Sequence, residues 1–551
     1  MKISDTAFYS LLLSAVAVNL LGLNTHFFTD DPGLYASISK QMVYRNDYLN
    51  LYSYGQDWLD KPHFPFWMAA LSFKIFGIYD WSYRIPALLF FFVGVFYTFL
   101  FTIKFYGKDA ARLAVLILLV AQHGIMSNTD VRAEPYLFGC LVAALYHLSN
   151  LKDKVNYVEL VAVAFFTACA VMTKGIFVFI AIYSGLLAEL YFTGQLRLLK
   201  QTRYWLLLLL TFIFILPEIW ALYMQFDLHP EKVVFGHTHV SGVRFFFWDS
   251  QFGRFFNTGP INRQSGSKVF FLHTLLWAYA PWCFMLYLAV FKILKSIYTR
   301  KLLKEYYTIT GSIIMLLLFS LSGFQLPFYT NILFPLFSIL IAGILVTDLS
   351  TSERRFIIST QMIYILVLPI LIIAINYAMA AGLIFKAVSG IAIVLALIAG
   401  IIYIFRSVEN RISSAIYVSV LVMVFANTCI GINLYPQLAA NKAELQAAEF
   451  INRQAAKQGS VFVLQNKFNS FQFYVNRSVK LISMQQFDEK PFNQHSYCYA
   501  HQEDIDLLNS KQIKYKTVKS YMDYDHEGIL PQFLSPATRP LTLSKVYLIS
   551  K

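Results

Sequence analysis

Charge is scarce in this chain. Of its 551 residues only 14% are Asp, Glu, Lys or Arg, against roughly 25% in an ordinary soluble protein. A soluble multi-domain protein is thereby excluded. Cysteine is also sparse, at five residues. Cys140, Cys169, Cys283 and Cys429 fall inside apolar runs, where the thiol acts as a small hydrophobe. Only Cys498 lies in polar sequence, which excludes a disulfide framework and a metal-type cysteine pair. No glycine-rich phosphate loop is present, so nothing points to a nucleotide. The middles of the apolar runs are nearly free of charge, and the carboxylates sit at the ends of the runs. That placement weighs against a transporter, which more often shows ionisable residues near mid-span.

What the chain does have is apolar length: 57% of residues are hydrophobic and 17% aromatic. Runs long enough to span a bilayer recur, about thirteen in all. They fall near residues 8–26, 83–103, 111–127, 135–150, 158–173, 175–193, 204–223, 269–291, 305–322, 328–347, 356–379, 382–405 and 412–433. The first lacks a small-residue cleavage site and reads as an uncleaved span. The net charge of +14 would suit nucleic acid if clustered, but the basic residues are spread over alternate short loops. Examples are Lys104, Lys108 and Arg112; Lys152 and Lys154; Lys292, Lys295 and Arg300; and Arg354 and Arg355, with Lys2 in agreement. That placement is a membrane-orientation signal and marks these loops as cytoplasmic. An odd number of spans then puts the long loops and the C-terminus on the other side. From about residue 436 short apolar strands alternate with helical pieces, a pattern predicting a small soluble α/β domain over 436–551. The expected architecture is a helical membrane domain over 1–435 carrying amphipathic helices beside the membrane, followed by that domain, in which the sequence shows no site.

Polar residues gather in the non-cytoplasmic loops. In TDDPGLYASISKQM, Asp31 before Pro32 predicts an N-cap with proline at N1. Leu34, Ile38 and Met42 then line one face of a helix lying along the membrane, and Asp30 is left without a structural task. DWLDKPHFPFW joins Asp60 and Lys61 to a rigid proline; it reads as an interfacial anchor or as a fixed ammonium facing a phosphate. Asp130, Arg132 and Glu134 occupy one very short loop, a surface charge cluster or part of a site. Lys174 sits between two spans on the side that disfavours lysine. Between 224 and 268, Arg244 and Arg254 flank aromatic pairs, suited to clamping a phosphate. His229, His237 and His239 are a weak metal pattern. Gln325 and Tyr329 stand at the start of a later span. The carboxylates and cations thus share one membrane face above an apolar body, an arrangement matched to a polyprenyl-phosphate-linked sugar.

With these motifs the chain resembles the GT-C membrane glycosyltransferases of families 39 and 83, which include protein O-mannosyltransferases and the lipid A aminoarabinose transferase. The resemblance runs in order over about residues 5–350. It rests on TDDPGLYASISKQMV, LDKPHFPFWMAALSFKIFG, Arg84-Ile85-Pro86, Asp130, Lys174-Gly175 and RFFFWDSQFGRF. It implies a multi-pass protein of the bacterial inner membrane, with its active site and C-terminal domain periplasmic. The implied reaction is inverting transfer of a sugar from a donor such as an undecaprenyl-phosphate sugar to a lipid A-like or other envelope acceptor. The implied catalytic carboxylates are Asp30 and Asp130. Lys61 and Arg254, with Lys174, Arg244 and Tyr329, are the implied donor side, supported by Asp31, Asp60 and Arg132. The implied partners are the lipid-linked donor, a lipid or protein acceptor and membrane lipids, with no nucleic acid, no obligate protein partner and no nucleotide cofactor. A divalent metal stays open. The aminoarabinose transferase branch has a histidine shortly before Arg-Phe where this chain has Gln251, and Asp60 fills the acidic slot. Gln325 stands where the last turn usually carries lysine. A protein acceptor on the same fold, and a flippase using the vestibule without chemistry, remain alternatives.

Overall fold

A computed structural model describes every residue except 1–2, 263–265, 380–382, 409, 455–458, 490–494 and 527. Lys2 and the start of the apolar run 382–405 therefore lie outside the described residues. The other apolar runs become helices, among them Asp5–Leu20, Asp80–Tyr106, Glu134–Asp153, Tyr157–Lys174, Thr202–Leu222, Thr351–Met379 and Arg411–Cys429. Among the described residues six helices are long and apolar enough to cross a membrane. A seventh follows if Lys108–Leu119 and Gln122–Thr129, bent by 54° at their junction, count together. Several remaining helices are shorter, such as Asp5–Leu20, Val178–Phe192 and Tyr307–Leu321. At about 1.5 Å per residue, sixteen residues reach about 24 Å, less than the roughly 30 Å hydrocarbon core.

The helices bury one stripe and expose another that is just as apolar. Phe101, Leu116, Phe138, Leu141, Phe334 and Phe337 fill the centre, while Trp205, Leu209, Phe212, Trp220, Leu366 and Ile370 face outward. An exposed apolar surface of that extent belongs against lipid. Asp80–Tyr106 and Glu134–Asp153 approach closely because Gly94 and Gly139 have no side chain: a Cβ on Gly139 would come within 2.3 Å of the Phe90 carbonyl oxygen. The basic loops meet at one end of the bundle. Lys104 pairs with Asp153 at 2.7 Å, Lys152 with Glu189 at 2.7 Å and Lys292 with Glu353 at 3.1 Å.

At the other end, the helix Asp30–Arg45 is followed by a small hairpin of β1 (Tyr52–Ser53) and β2 (Gln56–Asp57), then by the helix Phe64–Phe76. The C-terminal residues form a five-stranded sheet of β3 (Val461–Leu464), β4 (Val479–Ile482), β5 (Tyr497–His501), β6 (Lys516–Asp523) and β7 (Ser544–Ser550). Its order is β4-β3-β5-β7-β6, with β3 parallel to both neighbours and β7 antiparallel to β5 and β6. The alternating FQFYV reads as a strand but forms the helix Asn469–Tyr474. It is the crossover that two parallel strands require. Both its faces are covered: Phe471 stacks on Tyr499 of the sheet, and Phe473 meets Phe27.

That crossover helix covers the face of Asp30–Arg45 opposite Leu34, Ile38 and Met42. Residues 35–40 are buried all round because the C-terminal portion lies on what would be the polar face. Ser37 Oγ donates to the Asn469 carbonyl at 2.9 Å, and Lys40 Nζ donates to the carbonyls of Phe473 and Val475 at 2.6 and 2.8 Å. The capping expectation fails. The helix starts two residues earlier, with Thr29 in the N-cap position and Asp30 and Asp31 both in the first turn. Two carboxylates there complement the exposed N–H groups, and Asp31 is drawn outward by a cation instead of capping.

Candidate active site

The turn at Asp60-Lys61-Pro62 is held from both sides. His63, fully buried, donates its backbone N–H to Glu218 Oε2 at 2.9 Å, and its Nδ1 lies 3.0 Å from Glu218 Oε1. On the other side, Gln225 Nε2 and Lys232 Nζ each donate to Asp57 Oδ1 at 2.9 Å. Within this frame Asp60 binds two cations: Lys61 Nζ at 2.8 Å, and the Arg254 guanidinium. Burial alone would raise the Asp60 carboxyl, but Lys61 and Arg254 outweigh it and hold the pKa at about 2. Burial, aided by Arg254, pushes the Lys61 ammonium down to about 8 against the pull of Asp60. Arg254 Nε is buried with no hydrogen-bond partner among the described residues, so one strong donor is unspent.

The second charge group surrounds the loop 130–134. Arg132 bridges Asp31 Oδ2 at 2.6 Å and Asp130 Oδ2 at 3.0 Å, while Thr29 Oγ1 donates to Asp130 Oδ1 at 2.5 Å. Burial opposes the Arg132 charge, but Asp130 and Asp31 more than offset it. Glu134, 1% exposed, receives Lys174 Nζ at 2.9 Å. Lys174 ends the helix Tyr157–Lys174 and lies 4.8 Å from the centre of the Tyr329 ring. Gly175 turns the chain at a φ of +97°, and a Cβ there would strike the Gln251 side chain. Gln251 is thus packed behind Lys174, donating to its carbonyl at 3.4 Å.

Asp30 stands where the membrane portion meets the C-terminal portion. It is open to the cavity, and its Oδ1 accepts from Asn469 Nδ2 at 2.7 Å. Enclosure between the two portions raises its pKa, the Asn469 amide pulls it down, and the like charge of Asp31 adds to the rise.

Asp30, Asp31, Asp60, Lys61, Arg132, Lys174, Arg254 and Tyr329 line one cavity of about 640 Å³. Asp130 lies behind it, tied to Arg132. Arg244 is not brought in: it is exposed and faces Asp249 at 3.6 Å, on a turn of helix whose neighbours Phe245 and Phe246 take the buried side. Gln325 is buried and donates to the carbonyls of Phe319 and Ser320 at 3.4 and 3.3 Å. An apolar groove opens off the cavity, lined by Phe177, Val178, Met315, Leu318, Phe319 and Ile332, with Lys174, Arg254 and Tyr329 at its charged end. His123, Trp277, Lys442, Asp525 and His526 also line the cavity, and sequence reasoning found none of them. His123 and Trp277 sit inside apolar runs, where they read as core. The other three belong to the C-terminal portion, where the sequence shows no site; the structure corrects that view. Among the described residues no group of three or more His, Cys, Asp or Glu is placed to hold a metal.

Residues 60–220 match the family model described as dolichyl-phosphate-mannose-protein mannosyltransferase. The chain is also similar to the undecaprenyl phosphate-alpha-4-amino-4-deoxy-L-arabinose arabinosyl transferase 1 of Pseudomonas fluorescens. That match is 24% identical over 327 residues, covering 58% of this chain and 54% of the relative. A Pseudomonas aeruginosa transferase of the corresponding name is 26% identical over 330 residues, covering 58% and 56%. The chain thus spans just over half the length of these relatives. The crystal structure of ArnT from Cupriavidus metallidurans bound to undecaprenyl phosphate superposes with a TM-score of 0.74 at 17% identity, over 94% of this chain and 97% of that one. This is the GT-C fold. The resemblance drawn from the loop motifs is met, and the matched segment 60–220 includes both the Asp60-Lys61 turn and the Glu218 that pins it. The cavity and its apolar groove lie at the end of the fold that carries the C-terminal portion.

Proposed function

We propose that the chain is a glycosyltransferase that moves a sugar from a polyprenyl-phosphate donor to a lipid A-like acceptor. In this reading it spans the bacterial inner membrane about thirteen times, as a membrane domain over 1–435 and a periplasmic domain over 436–551. The observation that carries the reading is the join between groove and cavity. An apolar groove suits a prenyl tail, and Lys61, Lys174 and Arg254 stand where its phosphate would emerge.

The geometry supports the following roles. Asp60 holds Lys61 and Arg254 side by side, so the charge that develops on the leaving phosphate meets preorganised donors. Lys61 gives one of its three N–H groups to Asp60 and keeps two for the phosphate. Glu134 fixes Lys174 against Tyr329 on the groove side. The acceptor oxygen forms its bond to the anomeric carbon as the bond from that carbon to the phosphate oxygen breaks, with inversion. With a hydroxyl acceptor, Asp30 takes the proton; its raised pKa suits a general base, an effect of roughly 10²–10⁴-fold. With a phosphate acceptor, already anionic, Asp30 orients instead. Asp130 acts through Arg132, setting Asp31 and the first turn of the Asp30 helix.

The test is reconstitution. Proteoliposomes containing the chain, undecaprenyl-phosphate-linked 4-amino-4-deoxy-arabinose and lipid A should yield lipid A heavier by one such sugar, read by mass spectrometry. An unmodified acceptor with the donor unconsumed would contradict the donor class. Consumption of donor with transfer only to protein would move the acceptor to the protein O-glycosyltransferase alternative.

A further inference from the structure

Resting on the catalytic role proposed for Asp30, we infer that Asn469 of the C-terminal portion is a positioning residue that aims this carboxylate, so that the site is complete only when the two portions are docked. Asn469 opens the crossover helix between β3 and β4, far along the chain from Asp30, and is 3% exposed. Its Nδ2 donates to Asp30 Oδ1 at 2.7 Å. Its own carbonyl receives Ser37 Oγ at 2.9 Å, about two turns beyond Asp30 on the Asp30 helix. One residue therefore grips the Asp30 helix by backbone and by side chain.

Docking alone does not explain the amide. Ser37, Lys40 and Tyr54 already secure the crossover through its backbone, Tyr54 by accepting from the Phe468 N–H at 2.7 Å. The Asn469 Oδ1 is buried without a partner among the described residues, a state that a smaller residue would avoid. The side chain serves the carboxylate it faces. An amide N–H toward Asp30 favours the ionised, proton-accepting form. The turned-over amide would set two oxygens against each other. Asp30 also lies where the charged cavity meets a second one of about 700 Å³ between the two portions. A carboxylate at such a junction has room to swing unless it is held. Other charged or titratable groups around it are Asp31 on its own helix, Arg132 beyond Asp31, and from the C-terminal portion Lys442, Glu444, Asp525 and His526, with Lys467, His501, Glu503, Asp523 and Lys545 on the second cavity.

The experiment is the pH dependence of sugar transfer by the full chain in proteoliposomes. Asn469→Ala should lower kcat by on the order of 10- to 100-fold through misaim. It should also move the acid limb of the kcat profile to higher pH, with KM for the donor unchanged. Asn469→Asp, which keeps the size, should move the limb the same way. Tyr54→Phe removes another bond of the same docking and should leave the limb in place. An unmoved limb with kcat within about twofold of wild type in either Asn469 variant would overturn the inference. An equal shift in Tyr54→Phe would also overturn it, by making the effect one of docking alone. Asp30→Asn, run alongside, separates the two levels. If it transfers sugar normally, the role of Asp30 is wrong; if it is dead and Asn469→Ala is normal, only the role of Asn469 is wrong.

Discussion

At the scale of single residues, Asp60 decides how the cations behave. It is the shared partner of Lys61 and Arg254, and without it two like charges would face each other inside a largely enclosed turn. If Lys61 holds the donor phosphate as proposed, Lys61→Ala removes a charge-assisted contact and should weaken donor binding by about 1.5–3 kcal/mol. Lys61→Arg should recover part of it, since a planar fork cannot replace a point charge fully. The pKa of Lys61 also sets a pH dependence. It is lowered to about 8, so the ammonium is present below that pH and lost as pH rises through it. kcat/KM for the donor should fall above about pH 8 in wild type and stay level in Lys61→Arg; a fall of the same size in both would assign the limb to another group. Asp31 pairs with Arg132 rather than capping its helix. Asp31→Asn keeps a hydrogen-bond acceptor for Arg132 but not the charge, and thermal denaturation with a turnover assay should show reduced stability with activity retained.

At the scale of elements, the loops of the membrane portion were legible and the docking was not. Asp60-Lys61-Pro62, the 130–134 turn and Lys174-Gly175 carry charge where neighbouring sequence is apolar, so their partners had to lie close. Their gathering into one cavity follows from all being on the same ends of adjacent helices. Asn469 has no such signal: it is an ordinary helix-opening residue until the crossover is laid on Asp30–Arg45. Glu134 was visible but not its pairing with Lys174, because nothing in the chain fixes which helix ends touch. Arg244 looked equivalent to Arg254 because both flank aromatic pairs, yet the helical stretch between them leaves Arg244 exposed and turns Arg254 to the cavity. The docked elements carry a pH signature of their own. Burial raises Glu444 to about 8 even though Lys442 opposes it, and its Oε2 accepts from the Phe471 N–H at 2.8 Å. The folded form then holds a proton that the unfolded chain releases, so this group's contribution is full below about pH 4.5 and is lost as pH rises to about 8. Asp523, also raised by burial, acts in the same direction. Glu444→Gln should flatten the decline of thermal stability between those pH values relative to wild type. An identical slope in the two proteins would mean Glu444 is not buried as a proton carrier.

At the scale of the whole molecule, the chain separates two polar ends by an apolar body. One end ties basic loops to carboxylates through Lys104–Asp153, Lys152–Glu189 and Lys292–Glu353; the other holds the cavity beneath the five-stranded sheet. Topology reporters fused at Lys152 and at Lys480 should therefore report opposite sides of the membrane, with Lys480 outside. Both on one side would break the grouping of loops on which the site rests. The central claim is that a polyprenyl-phosphate donor is held by the Lys61–Arg254 pair while Asp30 acts on the acceptor. The most direct measurement follows donor binding and sugar transfer together, in the same membranes, for wild type, Lys61→Ala and Asp30→Asn. Lys61→Ala should lose donor affinity, and Asp30→Asn should bind donor as wild type does yet transfer no sugar. Full transfer by Asp30→Asn, or undiminished donor affinity in Lys61→Ala, would contradict it.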